Sequence, residues 1–242
     1  SSDVGSDEIL SAGETWLYTS STEAAQDLTE ITGSTEARLY FSGSSSTEGP
    51  LGNVRHFTQD GVNVDVSGFS RNSHGNWAKG YVGLYGGGLG VTNNGETGHQ
   101  HRVDNGHQVD YLLFEFDQDV VVDKAFLKFV EHDSDISIWI GDRNGVNIDH
   151  LDDELLSGFA KEDNFTHSDY DRWAELNHEE LAGDTLIISA FTGGSNDSFK
   201  LNKLDLDIPG ETTVGSYINT ATVEAGGVFD SDLSGYTNPF GH

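Results

Sequence analysis

Chemistry-bearing residues crowd into one stretch, "GGGLGVTNNGETGHQHRVDNGHQVD", which runs from Gly86 to Asp110. Gly86, Gly87 and Gly88 carry no Cβ, so their backbone can approach a ligand or an ion closely. Asn93, Asn94, Asp104, Asn105 and Asp110 add amide and carboxylate oxygens, and the glycine carbonyls complete an all-oxygen set. Hard cations such as Ca2+ take 6–8 oxygens from carboxylates, amides and carbonyls. Asp104–Asn105 directly precedes an apolar strand, which would hold such a site rigid. The plainer alternative is a long polar hairpin loop. His99, His101 and His107 raise zinc as a competitor, because i and i+2 on a strand face one side. The abundance of oxygen donors argues for calcium and leaves the histidines to hydrogen-bond within the loop or meet a ligand carboxylate. Tyr85, beside the glycines, would wall a ligand groove with Trp77 and Tyr81, unless these rings serve the core. Arg102 would pair with a ligand carboxylate or with a neighbouring acid.

Other acids repeat a two-residue spacing. Asp133 and Asp135 stand at a strand entrance, where alternation points both carboxylates one way. They repel unless a cation lies between them or water solvates them. Asp230 and Asp232 have the same spacing, and Asp3, Asp7 and Glu8 crowd the other end. Asn196 and Asp197 follow Gly193–Gly194 in a loop able to share an edge with the others. Catalytic patterns are missing: there is no G-x-S-x-G, H-E-x-x-H or phosphate loop. Adjacent acids such as Asp152–Asp153 and Glu179–Glu180 do not face each other on a helix. The expectation is a binding protein and not an enzyme.

The elements that must carry these residues are strands. Val62, Val64 and Val66 alternate with polar neighbours, as in a half-buried strand. Between Asp110 and Asp142, three strands are expected at Leu112–Phe116, Ala125–Val130 and Ile136–Ile140, with turns at 117–119 and 133–135. Asp184–Phe191 and Phe199–Ile208 add two more. Only Asp149–Phe159 and Asp169–Leu181 look helical. Thirty glycines and three prolines in 242 residues fit many short strands joined by turns. The fold class is therefore all-β, an antiparallel sandwich with minor short helices.

Forty-one acidic residues against 12 basic give a formal charge of -29. That balance argues against nucleic acid and anionic membranes as partners, since both demand a cationic face. No apolar run approaches the roughly 20 residues of a membrane span, so no membrane insertion is expected. With 35% hydrophobic residues the chain still has enough apolar surface to fold. A folded polyanion of this kind points to calcium as a structural partner. There is no cysteine, so disulfides and thiolate chemistry are out. The chain starts at Ser1 and reads as a segment of a longer exported protein.

Two short strands, near Thr15–Ser20 and Ser216–Glu224, lie at opposite ends, and neither end can close a core alone. Residues 1–27 and 211–242 are therefore expected to form one small domain, split by an inserted sandwich over 28–210. The motifs "DEILSAGETWLYTSS", "SYINTATV" and "DSD" resemble the repeated Ig-like extender domains of large bacterial surface adhesins. The middle, from "YGGGLGVTN" and "HRVDNGHQVDYLLFEFDQDVVVD" to "SNDSFKLNKLDL", is similar to the peptide-binding module of RTX adhesins of Gram-negative bacteria. The resemblance implies an extracellular, cell-surface, calcium-rich and non-enzymatic module for cell adhesion. It further implies a ligand in the C-terminal end of proteins on other cells, with calcium holding the terminal carboxylate and the "VDN" stretch on the functional side. Neighbouring extender domains of the same chain would be further partners, through junction calcium at Asp7, Asp230 and Asp232. Two alternatives stay open, a calcium-dependent lectin binding glycan hydroxyls and a structural spacer.

Overall fold

The computed structural model describes residues 33–43, 52–94, 96 and 101–210, with the strand backbones of 29–31, 212–214, 216–225 and 228–237. The chain divides into two compact units, Ser1–Thr32 with Glu211–His242, and Gly33–Gly210. In the outer unit, β1 (Thr29–Ile31) pairs antiparallel with β14 (Thr212–Val214), and β15 (Ser216–Ala225) with β16 (Val228–Thr237). The strand expected at Thr15–Ser20, and Asp7, lie outside the described residues. The boundary expected after residue 27 falls later, since Thr29–Ile31 pair within the outer unit.

The inner unit is almost wholly β. In chain order its strands are β2 (Ser34–Tyr40), β3 (Val54–Gln59), β4 (Val62–Asn72), β5 (Trp77–Tyr85), β6 (Gly88–Thr92) and β7 (Val103–Asp104). Then come β8 (Gln108–Lys128), β9 (Ile136–Gly141), β10 (Ala160–Asn164), β11 (Arg172–Glu175), β12 (Ala182–Ala190) and β13 (Ser198–Pro209). The sheet order is β10-β9-β12-β8-β13-β6-β5-β4-β3, with β2 and β7 on β13 and β11 on β8. A further β4–β8 ladder closes β8-β13-β6-β5-β4 into a small barrel.

The physical reason is legible along β8. Its first half, "YLLFEF", is apolar on both faces: Leu112, Phe114 and Phe116 enter the main core. Tyr111 and Leu113 enter a second cluster with Phe69, Trp139, Leu151 and Ile187. A strand buried on both sides reads as a continuous apolar run. Its second half alternates, with Val120, Val122, Ala125 and Leu127 inward. Lys124, Phe126 and Lys128 are half-buried on the outer face.

Three expectations are corrected here. Asp117–Gln118–Asp119 form no turn, because β8 runs on through them. Asp117 accepts hydrogen bonds from Asn63 on β4, at 3.1 Å from the backbone N–H and 2.6 Å from Nδ2. A side chain engaged across a ladder has no free oxygen with which to start a turn. Asp169–Leu181 is not helical. Its centre is β11, and Trp173 packs on Phe126 of β8 at a centroid distance of 5.1 Å. Of Asp149–Phe159, only α1 (Asp153–Ser157) is helical. Asp152 caps it, its Oδ1 accepting from the Leu155 N–H at 2.7 Å.

Gly88 packs the barrel. It sits at φ +128°, and a Cβ there would lie 2.3 Å from the Leu201 carbonyl oxygen of β13. Gly86 faces open space. Gly88→Ala should therefore lower stability by more than the roughly 1–3 kcal/mol of backbone strain alone. Gly86→Ala should stay within about 0.5 kcal/mol of the parent. Denaturant midpoints of the two variants check this.

Candidate metal centres at one end of the barrel

β6, β7 and the start of β8 bring Asn93, Glu96, Asp104 and Asp110 together. The carboxylates of Glu96, Asp104 and Asp110 place one oxygen each within 4.8 Å of one another. Asp110 is 0% exposed. Its Oδ1 accepts from Asn93 Nδ2 at 2.9 Å, while Oδ2 is buried with no hydrogen-bond partner. Glu96 Oε2 accepts from the Asn93 backbone N–H at 3.2 Å, and its buried Oε1 has none. Asp104 Oδ1 accepts from the Gly106 N–H at 3.0 Å.

The electrostatics follow from this crowding. Burial, then the Asp104 charge, pushes Asp110 well above the usual carboxylate range. Burial and Asp104 raise Glu96 to about 7. Burial raises Asp104 too, with Arg102 and His107 pulling the other way. One buried and two half-buried carboxylates, all raised together, define a negative site that a bound cation would relieve.

A second cluster lies at the entrance of β9. Asp133, Asp135 and His167 present atoms within 4.8 Å of one another. Asp135 Oδ1 accepts from the backbone N–H groups of Thr166 and His167 at 2.7 and 3.0 Å. His167 Nδ1 lies 3.0 Å from Asp135 Oδ2 and 3.3 Å from Asp133 Oδ2. The hydrogen bond to Asp133 and the charge of Asp135 raise the His167 pKa. Here, unlike the first cluster, the chain itself satisfies the acids. Both clusters have the composition and spacing to hold a metal ion.

The remaining expected residues are drawn close in different ways. Asn105 and Asp197 do not point at either cluster as free ligands, because each satisfies the other. Asn105 Nδ2 donates to Asp197 Oδ2 at 2.6 Å, and the Asp197 N–H donates to Asn105 Oδ1 at 2.9 Å. Asp197 Oδ1 accepts from the Asp135 N–H at 2.9 Å, so this buried pair ties β7 to the second cluster. His101 bonds Thr92 Oγ1 at 2.6 Å and stacks on Tyr85 at 5.3 Å. Arg102 pairs with Glu131. Gly87 approaches the Phe129 and Lys200 side chains, and Gly88 approaches β13, so these glycines serve packing within the chain. Trp77 packs on Tyr111 at 4.6 Å and belongs to the second cluster of apolar side chains. Asp230 and Asp232 stand on β16 opposite Val223 and Ala221.

Glu96 and His167 were not singled out from the sequence. For Glu96 a signal existed, an acid three residues after Asn93 with a glycine between, as in a closed polar turn. His167 lies over 30 residues from Asp133 in the chain, and only folding brings them together.

No protein-family model matches this chain, and no curated protein or solved structure does either. Among the described residues no helix is long and apolar enough to cross a membrane.

Two outcomes follow for the first cluster. Protons and a cation compete for Glu96, whose folded pKa of about 7 lies above its ordinary 4.5. The protonated form is favoured in the metal-free fold, so metal-free stability falls as pH rises through that value. Cation affinity rises over the same range and levels off above it, as titration calorimetry at several pH values would show. Asp110→Asn replaces a buried carboxyl, one oxygen of which lacks a partner, by a neutral amide of similar size. It should melt higher than the parent in chelator, and lose the gain of about 2.7 kcal/mol expected at a hundredfold excess of cation over Kd.

Proposed function

We propose that the inner unit is a calcium-dependent adhesion module of a bacterial cell surface, which binds the C-terminal carboxylate of target proteins. The observation that carries this reading is Asp110 Oδ2, a fully buried carboxylate oxygen without a partner, aimed among Asp104 and Glu96. Leaving such an oxygen unpaired costs about 1–3 kcal/mol or more, a penalty that a cation removes. Every ligand atom in the cluster is an oxygen, which suits a hard ion better than a soft one.

Glu96 and Asp104 are only half-buried, so an ion between them and Asp110 keeps positions open towards solvent. A ligand carboxylate fills such positions, and the Arg102 charge, which acts on Asp104, offsets part of the added negative charge. The pattern resembling peptide-binding modules includes Asp104 and Asn105, in agreement with this placement. Asn105 and Asp197 then act as the brace that fixes β7 against β13.

The test uses one peptide library in two forms, with a free C-terminal carboxylate and with a C-terminal amide, in calcium and in chelator. Binding of the free acids in calcium alone, lost in Asp110→Asn, is expected. Equal binding of acids and amides would overturn the carboxylate, and binding undiminished in chelator would overturn the calcium.

A further inference from the structure

The chain has 12 basic residues for 41 acidic ones, so each base should find a carboxylate with ease. Like Lys79 on β5, Lys128, Lys200 and Lys203 do not: among the described residues no acid lies within 4.0 Å of any of them, while Arg38, Arg71, Arg102, Lys124 and Lys161 are all paired. These three lysines share one outer face. Lys200 on β13 stands directly opposite Lys128 on β8, and Lys203 stands opposite Phe126. Like charges directly opposite on a ladder repel. Burial and then Arg102 hold the Lys200 pKa below its ordinary value.

The lysines lie over aromatic rings instead. Lys200 Nζ is 4.2 Å from the Tyr85 centroid, Lys128 Nζ 5.8 Å from Phe129, and Lys203 Nζ 5.4 Å from Tyr40. Tyr40 and Phe129 are about half exposed, at 50% and 51%. Phe129 has φ +53°, a left-handed conformation that is costly for a bulky residue and here turns an apolar ring to solvent.

We propose that this face, Lys128, Lys200 and Lys203 with the exposed rings of Phe129 and Tyr40, is a docking surface for an acidic polysaccharide. The occupant follows from the chemistry. β8 and β13 are interior strands whose backbone groups are spent in ladders, so a peptide cannot add as a further strand here. Recognition must run through ammonium groups and ring faces. A uronate chain offers both complements, a carboxylate on each sugar and a flat C–H face to set on a ring. The overall charge of -29 does not forbid this. At physiological ionic strength the screening length is about 8 Å, so acids beyond that weigh little. Of those nearer, Asp205 and Asp123 beside Tyr40 are paired with Arg38 and Lys124, and Glu131 with Arg102. The surface is independent of the calcium reading and needs no cation.

The experiment measures binding of the full chain to immobilised polygalacturonate at about 0.15 M salt with chelator present throughout. Neutral dextran and polyglutamate serve as controls. The parent should bind polygalacturonate over both. The pair Lys128→Gln with Lys200→Gln should weaken that binding about tenfold, the effect of removing two surface ammonium charges that each face a carboxylate. Phe129→Ala should weaken it as well, and all variants should keep the parent's β-sheet circular dichroism and cooperative melting in chelator, which report an intact fold. No binding by the parent, equal binding to polyglutamate, or unchanged binding in the variants would each overturn the proposal.

Discussion

β8 is the constraint on which the inner unit depends. Its first half pairs with β4 and β12, and its second half with β13 and β11, so both edges are occupied along the strand. A strand with both edges paired and an apolar face in two cores cannot slip by one residue, since a slip would turn every side chain to the wrong face. Closure through β4 also removes the open edges that such an apolar strand would otherwise present.

That rigidity sets the electrostatics at the barrel end. Asp110 is the third residue of β8 and comes two residues before Leu112, so the ladder that buries Leu112 carries Asp110 inside with it. The strand cannot relax to hydrate a carboxylate without exposing the core beside it. A buried acid in this position holds its proton, finds a partner or binds a cation. Asp197 shows the contrasting outcome, because the Asn105 amide and the Asp135 N–H satisfy both of its oxygens.

β13 links the three features of the surface. It begins at Ser198, opposite Asp104 of the first cluster and next to Asp197 of the brace. Two residues on, Lys200 opens the cationic face. One strand therefore runs from an acidic end to a lysine-bearing face.

Much of this was readable in the residues. The alternation at Val62–Val66, the apolar run after Asp110 and the "KLDLDI" stretch dictated strands, because burial on one face or two leaves a period in the sequence. The loop from Gly86 to Asp110 announced oxygen chemistry, and Asp104 and Asp110 do meet. The breaks in β8 were misread, since Asp117 and Asp119 carry turn propensity and only the ladder to β4 overrides it. The same holds for Asp169–Leu181, where pairing with β8 outweighs local preference. Which oxygens are spent and which are free was decided by tertiary structure alone. Asn105 and Asp110 are five residues apart and both polar, yet Asp197 partners one and the core isolates an oxygen of the other. Composition and periodicity determine that the chain builds a β-sandwich rich in acids. Pairing between distant strands decides where a charge is stranded without a partner, because that depends on neighbours no local pattern encodes.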